Sequence, residues 1–121
     1  MKILAIDHFQ LAMPAGEEGK ARAFYGGVLG LAEIDKPEAL VKRGGAWFRS
    51  AGVVVHLGVE ADFHSAGKAH PAFVVDDLQA FLDICRACGV DTDTDQPALE
   101  GYQRAHVFDP FGNRIELMQK V

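Results

Sequence analysis

The sequence predicts an α+β protein of two modules that share one element order: a strand, a helix and three further strands. Three observations support this fold class. Runs of β-branched and apolar residues bounded by turn-forming residues predict strands, because such residues suit a pleated, half-buried surface. Each half contains one apolar stripe at helical spacing, and the order of elements repeats after about 60 residues. The predicted modules, about residues 1–60 and 67–121, form one domain.

The first half opens with a β-branched and apolar run that a proline and a glycine close, which predicts a strand at residues 3–12. The apolar spacing within residues 21–29 is typical of an amphipathic helix, and Gly30 should end it. The other strands of this half are predicted at residues 31–34, 45–50 and 53–58. The last two should form a hairpin, because only an Ala-Gly turn separates them.

The second half repeats this order after a polar, glycine-containing stretch. Asp76 and Asp77 provide a helix N-cap, the apolar stripe of residues 78–85 predicts the helix, and Gly89 should end it. Residues 109–113 have the composition of a turn. The strands of this half are predicted at residues 69–75, 90–95, 102–108 and 114–119.

Length, charge and hydropathy narrow the class of protein. The chain has 121 residues, of which 49% are hydrophobic and 24% charged, as is typical of one globular domain. A net charge of −5 without a basic cluster argues against a nucleic-acid partner, since phosphate binding requires concentrated positive charge. Apolar runs are short, so neither a membrane span nor a signal peptide is expected. We therefore expect a cytoplasmic protein that binds a small molecule.

Three histidines and one glutamate take matching positions in the two halves. His8 and His70 lie at the first strand of each half, while His56 and Glu116 lie in the fourth. The two separations agree within two residues, so the four side chains should occupy equivalent points of a repeated motif. Imidazole and carboxylate groups are costly to bury unpaired, and a divalent cation would compensate them. The mixed nitrogen and oxygen set suits Fe, Mn, Co, Ni or Zn.

A simpler interpretation stays open for each of these residues. A strand histidine is often a surface or core residue with an ordinary hydrogen bond, and Glu116 could face solvent on an edge strand. Two more histidines, His64 and His106, are candidates for pocket polarity. Cationic candidates for binding an anionic substrate group are Arg43, Arg49, Lys68 and Arg104. Side chains of these types are more often solvated surface residues.

Three segments of the sequence resemble a known family. Residues 6–12 (IDHFQLA) are similar to its opening strand, residues 23–31 carry the AFY and LGL elements of its first helix, and residues 109–117 (DPFGNRIEL) are similar to its closing motif. The family is the vicinal oxygen chelate superfamily, which includes glyoxalase I, bleomycin-resistance proteins, fosfomycin-resistance transferases and extradiol dioxygenases. The resemblance implies two βαβββ modules of the glyoxalase-like fold in a curved mixed sheet around a metal cleft, and a homodimer.

The resemblance also implies roles for the matched residues. In metal-using members the ligands come from the positions of His8, His70 and Glu116. The position of His56 is a Glu or Gln ligand in glyoxalase I and is usually not a ligand in dioxygenases or fosfomycin transferases. We therefore expect His56 either as a fourth metal ligand or as a catalytic residue at the pocket wall that moves a proton or orients substrate. Glu116 is expected to combine metal ligation with catalytic proton transfer.

The function that the resemblance implies is that of a divalent-metal enzyme of the lyase, isomerase or dioxygenase type. Two neighbouring oxygens of a small substrate would chelate the metal. No single member fits, because His56 replaces the glyoxalase I ligand and Gln10 stands where fosfomycin transferases have a threonine. The alternative is a metal-free protein that binds or sequesters a small molecule, as bleomycin-resistance proteins do. A third hypothesis is an interaction module without a small-molecule site.

Overall fold

Two four-stranded sheets make up most of the regular structure in a computed structural model that describes all 121 residues. The chain separates into two units, residues 1–63 and 64–121, and each unit contains one of the sheets. The boundary between the units falls in the polar stretch that separates the predicted modules. That the two modules belong to one domain stays a prediction.

The first unit contains four strands and three helical segments. Its strands are β1 (Phe9–Met13), β2 (Ala32–Ile34), β3 (Ala46–Ser50) and β4 (Val53–Val59). Its helical segments are α1 (Glu18–Ala21), a π-helix that continues α1 over Arg22–Val28, and α2 (Glu38–Val41). The sheet order is β1-β4-β3-β2, with β1 parallel to β4 and the other neighbours antiparallel. Helix α2 was not predicted.

The second unit contains four strands and one helix. Its strands are β5 (Ala72–Val74), β6 (Thr92–Asp93), β7 (Tyr102–Phe108) and β8 (Arg114–Lys120). Helix α3 (Leu78–Ala87) connects β5 to β6. The sheet order is β5-β8-β7-β6, with β5 parallel to β8 and the other neighbours antiparallel. Helix α3 has ten residues, and no helix of the chain is long and apolar enough to span a membrane.

The two units share one topology, which confirms the predicted α+β fold class. In each unit the first strand pairs in parallel with the fourth, the fourth pairs with the third, and the third pairs with the second. A parallel pair cannot be joined by a tight turn, so the first strand of each unit is followed by a helix and two antiparallel strands before its partner is reached. The repeated element order in the sequence therefore corresponds to a repeated sheet.

The opening strand is shorter than predicted, because it begins at Phe9 rather than at residue 3. Phe9 lies opposite Val55 of β4, and β4 itself begins only two residues earlier. The preceding segment therefore has almost no strand to pair with, and its side chains Ile3 and Ile6 are 97% and 85% exposed. An apolar run does not form a strand where no neighbour can satisfy its backbone groups. His8 consequently lies immediately before β1.

Two strands of the second unit are also shorter than predicted. The predicted strands at residues 69–75 and 90–95 are reduced to β5 and β6, which span Ala72–Val74 and Thr92–Asp93. Both are edge strands of their sheet, so each can pair on one side only. His70 therefore precedes β5 in the same way that His8 precedes β1.

Each unit buries one face of its sheet under its main helix. In the second unit α3 contacts β7 and β8, and its predicted apolar stripe is buried at Leu78, Leu82 and Cys85 and half-buried at Phe81. The strand residues buried at alternate positions are Ala105, Val107, Ile115 and Leu117. Because alternate residues of a strand share a face, the residues between them point to the opposite face. In the first unit Tyr25 stacks on Phe48 of β3, with ring centroids 5.6 Å apart.

The predicted ends of the main helices are confirmed. The side chain of Asp77 caps α3 by accepting a hydrogen bond from the backbone N–H of Ala80 at 2.9 Å. Gly89 follows α3 with φ at +72°, and Gly30 follows the π-helix with φ at +74°. Both values lie in the left-handed region that glycine adopts without steric cost, so these residues end the helices as predicted.

The turn between β7 and β8 is organised by the buried carboxylate of Asp109. One of its oxygens accepts hydrogen bonds from the backbone N–H groups of Phe111 and Asn113, at 2.9 and 2.8 Å. Its other oxygen accepts a hydrogen bond from the side-chain amide of Asn113 at 2.9 Å. A turn held in this way sets the register of the hairpin, and in that register His106 lies opposite Glu116.

A loop of two glycines between α2 and β3 is held by two charged side chains. Gly44 and Gly45 have φ values of +73° and +82°, which favour glycine. The ammonium group of Lys36 donates to the carbonyl of Gly44, and the N–H of Gly45 donates to the carboxylate of Glu18 at 3.1 Å. The hydrogen bond from Gly45 lowers the pKa of Glu18 below its usual 4.5, and the charges of Arg22 and Lys36 lower it further against the effect of burial.

This lowered pKa predicts a pH-dependent contribution of Glu18 to stability. Glu18→Gln imitates the protonated acid, so the variant should lose about 0.5–1 kcal/mol of unfolding free energy at pH 7, a small value because the group is partly exposed. The stabilisation is complete above the unfolded-state pKa, close to 4.5. It is lost as the pH falls through the lower folded-state pKa. Urea denaturation at pH 7 and pH 3 measures the difference.

Glu17→Gln is the matched control for this prediction. The carboxylate of Glu17 pairs with the exposed Lys20 at 2.7 Å, and surface pairs of this kind contribute little. A loss for Glu18→Gln that persists unchanged at pH 3 would contradict the assignment of the effect to the carboxylate charge.

Candidate functional site

Three polar side chains of the second unit converge on one face of its sheet. Glu116 on β8 lies opposite His106 on β7, and His70 comes just ahead of β5 on the other side of β8. The Nε2 atoms of His70 and His106 lie 3.0 and 3.5 Å from Oε1 of Glu116. All three potential ligand atoms lie within 4.8 Å of one another. The three residues therefore form a compact donor cluster, which we call the second-unit cluster.

The ring of His70 is oriented by the backbone. Its Nδ1 lies 2.8 Å from the carbonyl oxygen of Lys68, and a carbonyl can only accept, so Nδ1 carries the proton of the neutral ring. Nε2 of the neutral ring then directs a lone pair at the carboxylate of Glu116, 3.0 Å away. Two acceptor atoms at this distance require a positive charge near both, which either a proton or a metal ion provides.

His106 is buried without an ordinary hydrogen-bond partner. Its side chain is 4% exposed, and neither ring nitrogen makes a hydrogen bond. The 3.5 Å between its Nε2 and Glu116 is longer than a usual hydrogen bond. Burial of an unsatisfied polar group costs about 1–3 kcal/mol, so such a group calls for an explanation, such as a catalytic role or a bound ion or water.

Glu116 carries the negative charge of the cluster although its side chain is only 7% exposed. Burial by itself would raise the pKa of Glu116, but the neighbouring rings of His70 and His106 and the charge of Arg104 outweigh it and lower the pKa. The guanidinium of Arg104 lies 3.4 Å from Oε2 and also donates to the carbonyl of Pro97. Oε2 is thus held by arginine, while Oε1 faces the two imidazoles.

The spacing of these atoms fits a metal ion. A cation bound at about 2.0–2.2 Å holds neighbouring ligand atoms about 3.0 Å apart in octahedral geometry and about 3.4 Å apart in tetrahedral geometry. The distances from Oε1 of Glu116 to His70 and His106 are 3.0 and 3.5 Å. The unsatisfied nitrogens of His106 and the lone pair of His70 would both gain a partner. The two distances to Glu116 and the chemistry of the donor set therefore fit a divalent cation.

The first unit carries a stack of three rings. His8 stacks on His56 with centroids 4.0 Å apart, and His56 stacks on Trp47 at 3.7 Å with the ring planes 2° from parallel. Asp7 lies 2.8 Å from Nδ1 of His8 and orients that ring. Burial lowers the pKa of His56, and the neighbouring charge of His8 lowers it further. His56 is therefore neutral near pH 7 and able to accept a proton.

Each sheet carries a row of polar or aromatic side chains that lie opposite one another on neighbouring strands, which we call its polar row. The strand register relates the polar rows of the two sheets. His56 on β4 lies between Gln10 on β1 and Trp47 on β3. Glu116 occupies the corresponding position in the second sheet, with His106 on its β7 side. His56 and Glu116 are thus structural counterparts, as their spacing in the sequence predicts, and Trp47 is the counterpart of His106.

The four predicted site residues fall into two pairs. His70 and Glu116 are in contact in the second unit, and His8 and His56 are in contact in the first. Their assignment as one ligand set stays a prediction. His106, considered above only for pocket polarity, joins the second pair. The signal that could have identified it is the predicted hairpin, because His106 and Glu116 are equally distant from the centre of its turn.

Comparisons with known proteins give a consistent result. A sequence profile of the Glyoxalase/Bleomycin resistance protein/Dioxygenase superfamily matches residues 5–117. No curated protein matches the chain. A solved glyoxalase family protein from Bacillus anthracis is 45% identical, with a TM-score of 0.93, over 100% of this chain and 98% of its own.

Two structures of the fosfomycin resistance protein FosX from Listeria monocytogenes are also similar. The hexagonal form is 18% identical, with a TM-score of 0.79, over 99% of this chain and 96% of its own. A variant solved with Mn(II) and 1S,2S-dihydroxypropylphosphonic acid is 19% identical, with a TM-score of 0.81, over 99% and 95%. At this identity the FosX structures establish a shared fold alone. The profile match covers nearly the whole chain, and the chain belongs to the Glyoxalase/Bleomycin resistance protein/Dioxygenase superfamily.

Proposed function

We propose that the protein is a metal-dependent enzyme of this superfamily that acts on a small oxygenated substrate, with a divalent cation held by the second-unit cluster. The observation that carries the proposal is the convergence of His70, His106 and Glu116 with an otherwise unsatisfied buried imidazole. Two imidazoles and one carboxylate suit Fe, Mn, Co, Ni or Zn. The presence of Mn(II) in the FosX variant supports a divalent cation in this fold.

Surrounding residues would prepare the cluster for metal binding. The carbonyl of Lys68 accepts from Nδ1 of His70, so in the neutral ring Nε2 carries the lone pair that a metal ion would need. Arg104 holds one oxygen of Glu116, which leaves the other directed at the imidazoles. Three protein ligands leave coordination positions open for substrate, as catalytic rather than structural metal sites do. Bound there, a divalent cation supplies Lewis-acid stabilisation of negative charge on substrate oxygens.

We assign proton transfer to Glu116 and His56. The lowered pKa of Glu116 supports a carboxylate that stays ionised, as ligation requires. The lowered pKa of His56 supports a neutral imidazole that accepts a proton from substrate near pH 7. Its stacking between His8 and Trp47 limits rotation of the ring and so favours one orientation. Whether His8 and His56 also ligate the metal stays a prediction.

The rival function is a metal-free protein that binds or sequesters a small molecule. Such a protein would have no need for a buried carboxylate facing two imidazoles, and an apolar lining would be more stable at the same positions. The cluster therefore favours the metal-dependent enzyme. The reaction type, whether lyase, isomerase or dioxygenase, belongs to the proposal and depends on the substrate.

The homodimer and the cytoplasmic location that we expect from the sequence remain proposals. Exposed apolar side chains ahead of β1, including Ile3, Leu4 and Ile6, support a homodimer, because a second copy would remove this surface from water.

Metal binding predicts a stability gain that depends on the cluster. Protein purified without added metal and without chelating resin should contain near-stoichiometric Mn, Fe, Co, Ni or Zn. Returning that metal to stripped protein at 100 times its Kd should stabilise the fold by about 2.7 kcal/mol. His70→Ala, His106→Leu and Glu116→Gln should abolish most of this gain. Elemental analysis and thermal denaturation measure the two effects.

His64→Ala is the matched control, because His64 is an exposed histidine of the same unit outside the cluster. This variant should retain the full metal-dependent stabilisation. His8→Ala and His56→Ala test the remaining predicted ligands in the same assay. Absence of binding of all five metals at micromolar concentration would refute the metal-dependent enzyme and leave the metal-free binding protein.

A further inference from the structure

The first unit contains a pocket of about 230 Å³ beside the ring stack. Its lining includes Gln10 of β1, Trp47 of β3, and Lys36, Leu40 and Arg43 around α2. No aspartate or glutamate lines it. The volume is below the roughly 300–1,000 Å³ of pockets for drug-sized ligands, so the occupant would be a smaller molecule.

The pocket concentrates positive charge in a chain whose net charge is −5. Arg43 is exposed and takes part in no salt bridge within the chain. Lys36 is half-buried and donates to the carbonyl of Gly44, which positions its ammonium group and leaves further N–H groups for a ligand. The carboxylate of Glu18 accepts from Gly45 at the same loop and interacts with the charges of Arg22 and Lys36 rather than with Arg43. The charge of Arg43 is therefore available to an anion.

A glycine opens space for an amide donor at the wall of the pocket. A Cβ atom on Gly58 of β4 would lie 2.3 Å from Nε2 of Gln10, so only glycine leaves room for the Gln10 side chain as it stands. Gly58 and Gln10 both line the pocket. The amide adds neutral N–H donors to the two cations, a combination suited to carboxylate or phosphonate oxygens.

The third element of the pocket is an aromatic wall. Trp47 lines the pocket and also stacks on His56 with ring centroids 3.7 Å apart. This stacking places the imidazole of His56 directly behind the aromatic wall of the pocket. A ligand held by its anionic end would thus lie against Trp47 and next to His56.

We infer that this pocket binds the anionic group of a small organic acid, a carboxylate or a phosphonate, with Trp47 against the apolar part of the molecule. Arg43 and Lys36 supply the charge and Gln10 supplies a neutral hydrogen bond. The further step of identifying this acid as the substrate of the enzyme rests on the proposed function. The binding itself requires no metal, because none of these residues belongs to the second-unit cluster.

The single tryptophan of the chain makes this inference directly measurable. Metal is removed by passage over a chelating resin, since a soluble chelator is itself a polyanion. Benzoate, phenylphosphonate and the uncharged benzamide are titrated while the emission of Trp47 is followed. Both anions should produce a saturable change, and benzamide should bind at least about tenfold more weakly, because it lacks the charge. The tighter of the two anions identifies the preferred group.

Variants assign the binding to the pocket. Arg43→Gln should weaken binding of the preferred anion about tenfold, and Arg43→Glu should abolish it. Lys42→Gln is the matched control, because Lys42 is the neighbouring exposed cation and does not line the pocket; it should change the affinity less than twofold. Circular dichroism confirms that each variant is folded. Gln10→Ala should weaken binding by a smaller factor, since it removes a neutral donor.

The outcomes separate this inference from the proposed metal site. Equal affinity for benzamide and benzoate, or unchanged binding in Arg43→Gln, would overturn the anion pocket even if metal binds as proposed. Saturable anion binding in Glu116→Gln, which should not bind metal, would support the pocket independently of the cluster. The inference would also be overturned if neither anion changed the emission of Trp47 at millimolar concentration.

Discussion

The buried carboxylate of Glu116 is the constraint on which the second unit depends. A carboxylate with a side chain 7% exposed must be compensated, and three basic side chains, His70, Arg104 and His106, surround it. Asp109 organises the turn that brings His106 opposite Glu116, and the start of β5 brings His70 to its other side. The elements that stabilise this unit are therefore also the elements that form the donor cluster.

The first unit has the same topology but a different polar row. Where the second sheet has Glu116 beside His106, the first has His56 beside Trp47. The exchange replaces a carboxylate and an imidazole by two stacked rings with centroids 3.7 Å apart, so the first unit presents aromatic rings where the second presents a negative charge. One repeated sheet thus supports two kinds of chemistry, because register positions persist while the side chains that occupy them change.

Much of the fold could be predicted, because the responsible interactions are local. The hairpin of β3 and β4, the capping by Asp77 and the helix ends at Gly30 and Gly89 depend on neighbouring residues. The length of β1 could not be predicted in the same way. Its apolar sequence extends back to Ile3, but strand pairing stops near the residue at which β4 begins, and that limit is set by a segment far along the chain.

The same division between local and long-range interactions applies to the candidate functional site. The amino-acid sequence determined which chemical groups are present, and the repeat spacing related His8 to His70 and His56 to Glu116. Only the tertiary structure determined that His106 is buried against Glu116 without a hydrogen-bond partner, and that Lys36 and Arg43 line one pocket with Trp47. Burial and convergence depend on strands and loops that are distant in sequence, so no local pattern could determine them.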